Sequence, residues 1–239
     1  MSVQIIVDSS VDVAERFRER LHIVPLIIHF GEEELIDGVT INKEQFYRRL
    51  VESEQLPFTS QASPVAFQKV YEEVTQAGDS AVVITLASKL SGTYQSACIA
   101  AGDFDNIYVV DSQTAAIGAG VLTEYALARA EAGIGARELA AELERKREDV
   151  CLVALLDTLE YLKRGGRISK TAALAGGLLN IKPMITVRDG EVVLIGKARG
   201  AKQGNSLLVE KIRACGGIDF DLPILLGYSG LSGESLETY

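Results

Sequence analysis

Short apolar runs alternate with segments of helical spacing over the first 150 residues, and this alternation restricts the fold more than any other feature. The apolar runs lie at residues 3–7, 23–30, 81–86 and 106–112. The segments of helical spacing lie at residues 12–21, 42–51, 65–76, 94–101, 121–132 and 136–148. Because the runs are short enough for buried strands, the pattern predicts an α/β fold with a mostly parallel sheet and helices on both faces.

Two segments between these elements carry turn signals. Residues 32–36 with Asp37-Gly38 predict a short hairpin-like excursion whose turn is Asp-Gly. Residues 56–64, which contain two prolines and several hydroxyls, predict an ordered loop. Ser63-Pro64 at its end is typical of a helix N-cap followed by proline at the first helical position.

The pattern changes near residue 150. Beyond it, strands are predicted at residues 150–156, 184–188, 191–195 and 222–228, and helices at residues 171–179 and 203–214. Asp189-Gly190 between two of these strands is a strong hairpin signal. We therefore expect two domains, residues 1–150 and a C-terminal α+β domain of residues 151–239. A last helix is predicted to begin at Ser232, so close to the end that we expect the second domain to be truncated.

Charge and cysteine usage exclude several classes of protein. The formal net charge of −9 disfavours general nucleic-acid binding and attachment to anionic lipid headgroups. No apolar run reaches the ~18 residues of a membrane span, and no secretory signal is recognised. Cys98, Cys151 and Cys215 lack metal-ligand spacing, which predicts buried thiols in a reducing compartment. We expect a cytoplasmic protein without a nucleic-acid partner or stable membrane insertion.

Hydroxyl side chains follow several of the predicted strands. These turns are Asp8-Ser9-Ser10, Ser91-Gly92-Thr93 and Asp111-Ser112, and Thr59-Ser60 precedes a helix in the same way. In α/β sheets, ligands bind outside the carboxyl ends of the strands, and the unpaired N–H groups of a helix N-terminus attract anions. The turns therefore predict one shared anion site, although Ser91 or Thr93 could also be an ordinary helix cap.

Several of these motifs together resemble the DegV family. The matching segments in the first half are Asp8-Ser9-Ser10, residues 59–64, residues 91–97, and Val110-Asp111-Ser112 with Gly118 and Gly120. Those in the second half are residues 159–168 and Asn180-Ile181-Lys182-Pro183. They occur in the family order along nearly the whole chain, so the combination is specific although no single motif is decisive.

The resemblance implies a two-domain carrier that binds one long-chain fatty acid, such as palmitate, stearate or oleate, and needs no other cofactor. The acyl chain would lie in an apolar tunnel, and the carboxylate near the domain interface. A partner ATP-dependent fatty acid kinase would phosphorylate that carboxylate, and the acyl phosphate would supply phospholipid synthesis. The carrier itself would not be an enzyme.

By position, the resemblance assigns the carboxylate to Thr59 and Ser91, with Ser60 and the Gly92 backbone close by. Arg167 and Arg199 would lie near the pocket mouth, where the partner approaches. Family members usually continue with a C-terminal His-x-Gly-Pro-Gly-like loop that closes over the head group, and this sequence contains none. Tunnel candidates are Phe58, Phe67, Leu86, Leu90, Ile117 and residues 172–175, each of which could equally be ordinary core.

A phosphotransferase or hydrolase that acts on a small phosphorylated or acidic substrate is the alternative. Hydroxyl and glycine turns can also cradle a phosphate, and Asp8 with Asp111 could hold Mg²⁺. Against this interpretation, the sequence has no GxxxxGK[ST] or GxSxG motif. Its two histidines, His22 and His29, leave little material for a catalytic triad or a zinc site, and His29 is interpreted as structural. Both aspartates could instead hold turns by side-chain hydrogen bonds.

Overall fold

The computed structural model describes residues 2–53, 55–168, 180–234 and 236. In chain order, the strands are β1 (Val3–Asp8), β2 (His22–Val24), β3 (Ile27–Phe30), β4 (Glu33–Ile36), β5 (Phe58–Ser60), β6 (Ser80–Thr85), β7 (Ile107–Asp111), β8 (Val153–Leu155), β9 (Ile181–Arg188) and β10 (Glu191–Arg199). The helices are α1 (Glu15–Arg18), α2 (Lys43–Glu52), α3 (Pro64–Gln76), α4 (Thr93–Ala101), α5 (Ile117–Glu131), α6 (Ala136–Lys146), α7 (Glu160–Arg164) and α8 (Gly200–Ala214).

A four-stranded parallel sheet in the order β2-β1-β6-β7 forms the centre of the first half. Side chains alternate across it, so each strand contributes to two apolar layers. Val7, Ile84 and Val110 pack with α5 and α6 on one face, while Ile6 and Val83 pack with α3 and α4 on the other. The predicted sheet with helices on both faces is therefore confirmed.

The strand predicted over residues 23–30 is two strands in different sheets. Pro25 has no N–H to donate to a ladder, and the Leu26 N–H donates instead to Ser9 Oγ at 3.0 Å. β3 therefore leaves the parallel sheet and joins an antiparallel sheet in the order β4-β3-β5. Its hairpin turns at Gly31, with φ of +64°, and not at Asp37-Gly38.

The loop predicted over residues 56–64 is partly strand. Thr59 in β5 pairs with Ile28 of β3, a contact between distant segments that local turn signals do not reveal. The cap that follows is confirmed, because Ser63 Oγ accepts a hydrogen bond from the Ala66 N–H at 3.2 Å and Pro64 begins α3.

The second half contains an antiparallel sheet in the order β10-β9-β8, against which α8 packs. This confirms the predicted α+β character and the Asp189-Gly190 hairpin, whose two residues have φ of 50° and 76°. The strand predicted at residues 222–228 is wrong: no ladder forms there within the described residues, and Leu226 and Tyr228 are exposed. The helix predicted at residues 171–179 lies outside the described residues, as does part of the one predicted from Ser232.

Two of the three cysteines are joined. Cys151 and Cys215 form a disulfide across 64 positions, with their Cα atoms 6.5 Å apart, and both residues are exposed. The prediction of three buried thiols is therefore wrong for this pair, because spacing alone cannot reveal that two distant segments meet. Cys98 on α4 is a free, half-buried thiol.

Within the described residues, no helix is both long enough and apolar enough to cross a membrane.

Candidate functional site

The carboxyl ends of β1, β6 and β7 meet at one edge of the parallel sheet, where two aspartates hold the loops. Asp8 is fully buried; its Oδ1 accepts hydrogen bonds from the Ser10 N–H and hydroxyl, and its Oδ2 accepts one from the Leu86 N–H. Burial raises the pKa of the Asp8 carboxyl, although the hydrogen bonds from Ser10 and Leu86 oppose the shift. Asp111 Oδ1 accepts from the N–H groups of Ser88 and Gln113.

These hydrogen bonds fit the turn-holding interpretation of Asp8 and Asp111 and leave little support for Mg²⁺ binding, which belonged to the alternative function. Each carboxylate oxygen named above already accepts from backbone N–H groups, as expected of residues that hold turns. The described part of the chain contains no group of three or more His, Cys, Asp or Glu side chains that could hold a metal ion.

The Ser91 turn follows β6 and leads directly into α4. Gly92 occupies the N-cap position, so neither Ser91 nor Thr93 is the cap residue, and the N-cap makes no side-chain hydrogen bond. Ser91 Oγ instead accepts from the Thr93 N–H at 3.3 Å and lies 3.0 Å from the Thr93 hydroxyl. The turn thus presents a half-buried serine hydroxyl beside the first-turn N–H groups of α4, where positive partial charge collects.

The segment after β5 contacts this turn through Gln61. The Gln61 side chain donates from Nε2 to the buried Ser96 hydroxyl at 2.8 Å. A Cβ atom at position 92 would lie 1.9 Å from Gln61 Oε1, so the Gln61 side chain can occupy this position only because residue 92 is a glycine. The two hydroxyl loops that were predicted to share a site are therefore neighbours. Gln61 belongs to the segment 59–64 that resembles the family motif, but the sequence alone did not indicate that its side chain contacts Ser96 and Gly92.

Thr59 and Ser60 point to opposite faces of β5. Ser60 Oγ lies 2.8 Å from His29 Nε2, and the His29 ring stacks on Phe58 with ring centroids 4.4 Å apart. The Ser60 hydroxyl is therefore engaged with His29, in line with the structural interpretation of that histidine, whereas Thr59 is exposed. Of the two neighbours, Thr59 is the one with its hydroxyl-bearing side chain open to solvent.

Of the two predicted arginines, Arg167 lies at the Ser91 turn. Its Nε donates to the Leu90 carbonyl oxygen at 3.2 Å, and its side chain is exposed. Arg199 is the last residue of β10 and the N-cap of α8, where its N–H donates to Gln203 Oε1 at 2.7 Å. Among the residues that the structure describes, no hydrogen bond or ion pair joins Arg199 to the Ser91 turn.

The β9–β10 hairpin brings the second half against the same edge. Gly190 at its tip packs near Ala87, to which an added Cβ would be 3.5 Å away. Lys89 Nζ lies 3.6 Å from Glu191 Oε1. Segments from both halves of the chain therefore border the Ser91 turn, a relationship that the hairpin signal alone did not reveal.

The loop after β7 contributes strained backbone to this edge, and the end of β6 contributes an unpaired hydroxyl. Ala116 has φ of 48° and ψ of −124°, a conformation rare for residues other than glycine. The loop reaches the segment after β6, where the Ala87 N–H donates to the Thr114 carbonyl oxygen at 2.8 Å. Thr85 at the end of β6 is fully buried, and its Oγ1 has no hydrogen-bond partner within the described residues. Strained backbone conformations cluster at ligand sites, and a buried hydroxyl without a hydrogen-bond partner is uncommon in a folded protein.

The predicted tunnel residues divide into several environments. Phe67 is fully buried in the α3–α4 layer, Phe58 is 58% exposed, and Ile117 is half-buried at the start of α5. Leu86 and Leu90 are half-buried beside the Ser91 turn, and residues 172–175 lie outside the described residues. Two surface cavities, of about 460 and 420 Å³, lie elsewhere and do not border this turn.

Solved structures share this architecture. A DegV family protein of Thermus thermophilus, described as fatty-acid binding, superposes with a TM-score of 0.82 at 36% identity, over 90% of this chain and 78% of that one. A stearic acid-binding protein of Eubacterium ventriosum superposes with a TM-score of 0.81 at 29% identity, over 89% of this chain and 76% of that one.

The sequence comparisons agree with the structural ones. A DegV domain-containing protein of Caldanaerobacter subterraneus subsp. tengcongensis is 38% identical over 222 residues, which cover 91% of this chain and 79% of that protein. A family model described as "Uncharacterised protein, DegV family" matches residues 2–236. With the match extending over almost the whole chain, and with the fold and the recognised motifs in agreement, the chain belongs to the DegV family.

Proposed function

We propose that this protein binds one long-chain fatty acid, with the carboxylate at the Ser91 turn and the acyl chain in an apolar interior. The observation that carries the proposal is the position of Ser91 Oγ beside the first-turn N–H groups of α4. The similar proteins of Thermus thermophilus and Eubacterium ventriosum, described as binding fatty acid and stearic acid, support the class of ligand.

A carboxylate suits this turn because it accepts hydrogen bonds only. In the proposed complex, Ser91 and Thr59 donate from their hydroxyls and the α4 N-terminus donates from its backbone, starting at Gly92. Ser60 lies next to Thr59 but does not donate to the carboxylate in the proposed complex, because its hydroxyl already lies against His29. Arg167 supplies positive charge at the mouth, and Arg199 contributes to the surface that a partner meets.

The acyl chain supplies most of the affinity. Burial stabilises a chain by ~0.8 kcal/mol per CH₂ group, which for a palmitoyl-length chain sums to about ten kcal/mol before the costs of binding. Hydroxyl and backbone donors hold the carboxylate without a buried cation. The ligand can therefore bind tightly and still be released, as a carrier requires.

We infer that the protein is a carrier and not an enzyme, and that it presents the carboxylate to an ATP-dependent fatty acid kinase. Such a kinase works where ATP is available, which supports a cytoplasmic location.

We also propose a domain boundary near residue 150, so that residues 1–150 provide the head-group loops and residues 151–239 cover them. The charge of −9 supports the absence of a nucleic-acid partner. The phosphotransferase alternative gains no support, because Asp8 and Asp111 are occupied by loop N–H groups.

Native mass spectrometry of the purified chain, followed by lipid extraction, tests the proposal. We expect a folded species heavier than the polypeptide by one fatty acid, which the extract identifies. Delipidated protein should regain the same mass increment when it is mixed with stearate. A well-folded preparation that neither carries an acyl ligand nor acquires one from excess stearate would exclude the carrier function.

A further inference from the structure

The disulfide between Cys151 and Cys215 joins two elements of the second half at their ends. Cys151 lies two residues before β8, and Cys215 is the C-cap of α8. Both cysteines are exposed, so reagents in solution can reach the bridge. The bridge therefore fixes the end of α8 to the start of β8 at a surface that is open to exchange.

The protein holds each cysteine in place independently of the bond. The end of α8 is defined by backbone hydrogen bonds: the Cys215 N–H donates to the Lys211 carbonyl oxygen at 3.0 Å, and the Gly217 N–H to that of Ile212 at 3.1 Å. On the other side, the carbonyl oxygen of Leu152, next to Cys151, accepts from Thr186 Oγ1 of β9 at 2.7 Å. Two thiols held in this way remain neighbours when the bond is reduced.

Close packing between α8 and β8 maintains that proximity. Gly204 on α8 lies against Leu155 of β8, so closely that an added Cβ would be 2.6 Å from Leu155 Cδ2. Because the two elements are already packed, closing the bridge requires little further ordering. Once one of the two cysteines is in a mixed disulfide, the neighbouring thiolate attacks it far faster than a thiolate from solution does, because the two are already held together.

The third cysteine provides a contrast within the same chain. Cys98 is half-buried on α4, and burial raises the pKa of its thiol despite a hydrogen bond with Tyr94. Thiol–disulfide exchange proceeds through the thiolate, so a buried thiol of raised pKa reacts slowly. We therefore expect the exposed cysteines, Cys151 and Cys215, to exchange with disulfides in solution faster than Cys98 does.

We propose that Cys151 and Cys215 are a reversible redox pair that exchanges with low-molecular-weight disulfides such as glutathione disulfide. One thiolate attacks the glutathione disulfide, forms a mixed disulfide and releases one glutathione thiolate. The second cysteine thiolate then attacks the protein sulfur of that mixed disulfide, closes the bridge and releases the second glutathione. The two cysteines lose two electrons and two protons, and one glutathione disulfide becomes two glutathione molecules.

Oxidation changes the restraint on one part of the molecule. The closed bridge encloses residues 152–214, a span that includes Arg167 and Arg199, and it fixes the C-terminal end of the helix whose N-cap is Arg199. In the cytoplasm, disulfides are typically transient and redox-sensing. An exposed pair in the cytoplasmic location proposed above would therefore follow the glutathione balance of that compartment.

Equilibration of the folded full-length chain in buffers of graded glutathione to glutathione disulfide ratio tests the proposal. After an acid quench and alkylation, intact mass and peptide mapping give the state of each cysteine. We expect one transition in which Cys151 and Cys215 lose reactivity together, with a bridged peptide lighter by two hydrogen atoms, while Cys98 remains a thiol. Hydrogen exchange of residues 200–214 should be slower in the bridged form.

Two variants provide matched controls. Cys98→Ser should leave the transition unchanged, and Cys151→Ser should convert Cys215 into a mixed disulfide with glutathione. The proposal is overturned if the unmodified chain keeps both thiols alkylatable at every ratio, or if separate glutathione adducts accumulate on the two cysteines in place of the bridge.

Discussion

Gln61 Nε2 donates a hydrogen bond of 2.8 Å to the hydroxyl of Ser96, and the same side chain lies in the space that Gly92 leaves open. This contact joins the segment after β5 to the first turn of α4. Ser96 is 1% exposed, so its hydroxyl depends on the glutamine for a partner. The geometry of the proposed carboxylate site therefore depends on Gln61, which is not among the residues proposed to bind the carboxylate.

Gly92→Ala should displace the end of the Gln61 side chain and break its bond to Ser96, lowering the free energy of unfolding by about 1–2 kcal/mol. Gln61→Ala breaks the same bond, so the double variant should be hardly less stable than either single one. Urea denaturation of all three measures this coupling. Gly102→Ala, at a helix C-cap with an ordinary 3.4 Å contact, is the matched control and should be close to neutral. Strictly additive losses would contradict the shared contact.

The pair Ser91→Ala and Thr59→Ala should weaken fatty-acid binding by about tenfold or more, because each hydroxyl would donate to a charged carboxylate. Fluorescent fatty-acid displacement measures the effect. Circular dichroism should show an unchanged fold, although loss of the bond to the Thr93 N–H destabilises α4 slightly. Ser206→Ala removes a hydroxyl that bonds only within α8 and should bind as the unmodified chain does. Equal affinity in the double variant would remove both residues from the site.

Arg167→Ala should weaken fatty-acid binding several-fold, because it removes a positive charge close to the proposed carboxylate. The loss should shrink at high salt, since an exposed charge is screened within about 10 Å at ordinary ionic strength. Isothermal titration at low and high salt separates this effect from a packing defect. Arg164→Ala makes the same charge change three positions earlier, where the side chain pairs with Glu160, and should have little effect. Equal losses in both variants would indicate general electrostatics.

Whether the sequence predicts a given contact of the fold depends on how far apart in the chain its two residues are. The Ser91 turn and the Ser63 cap follow from local residue types, and the Asp189-Gly190 turn follows from the φ values that such a pair tolerates. The contact of Gln61 with Gly92, the bond between His29 and Ser60, and the Cys151–Cys215 bridge depend on distant segments meeting. Local patterns in a single sequence do not indicate such contacts between distant segments.

The strand predicted at residues 222–228 fails for a related reason. Apolar and extended residues favour a strand, but a strand exists only where a neighbouring strand accepts its hydrogen bonds. The segment instead lies along the start of α5, where Leu225 comes close to Gly120 and Gly227 to Ile117. The sequence pattern indicated an extended backbone at residues 222–228, but within the described residues no neighbouring strand is placed to pair with it, so no strand forms.

The buried Asp8 carboxyl should make stability depend on pH. Burial raises its pKa in the folded chain above the unfolded value of 3.8, so the folded state binds more protons between the two values. Stability relative to Asp8→Asn, which cannot titrate there, should therefore be greatest below pH 3.8 and fall as the pH rises through the folded pKa. Urea denaturation of both proteins from acidic to neutral pH gives this difference. A difference that grows with pH would contradict the assigned shift.

The Cys151–Cys215 bridge should contribute to stability under oxidising conditions only. It closes a span of 64 positions, and bridges over loops of this size stabilise proteins by about 2–4 kcal/mol, largely by restricting the unfolded chain. Cys151→Ser should therefore unfold at lower urea concentration than the oxidised parent. After treatment with a reducing agent, the two proteins should unfold at nearly the same concentration, because the parent has then lost the same restraint. If the variant remained less stable than the fully reduced parent, the effect would belong to packing of the cysteine side chain and not to the bond.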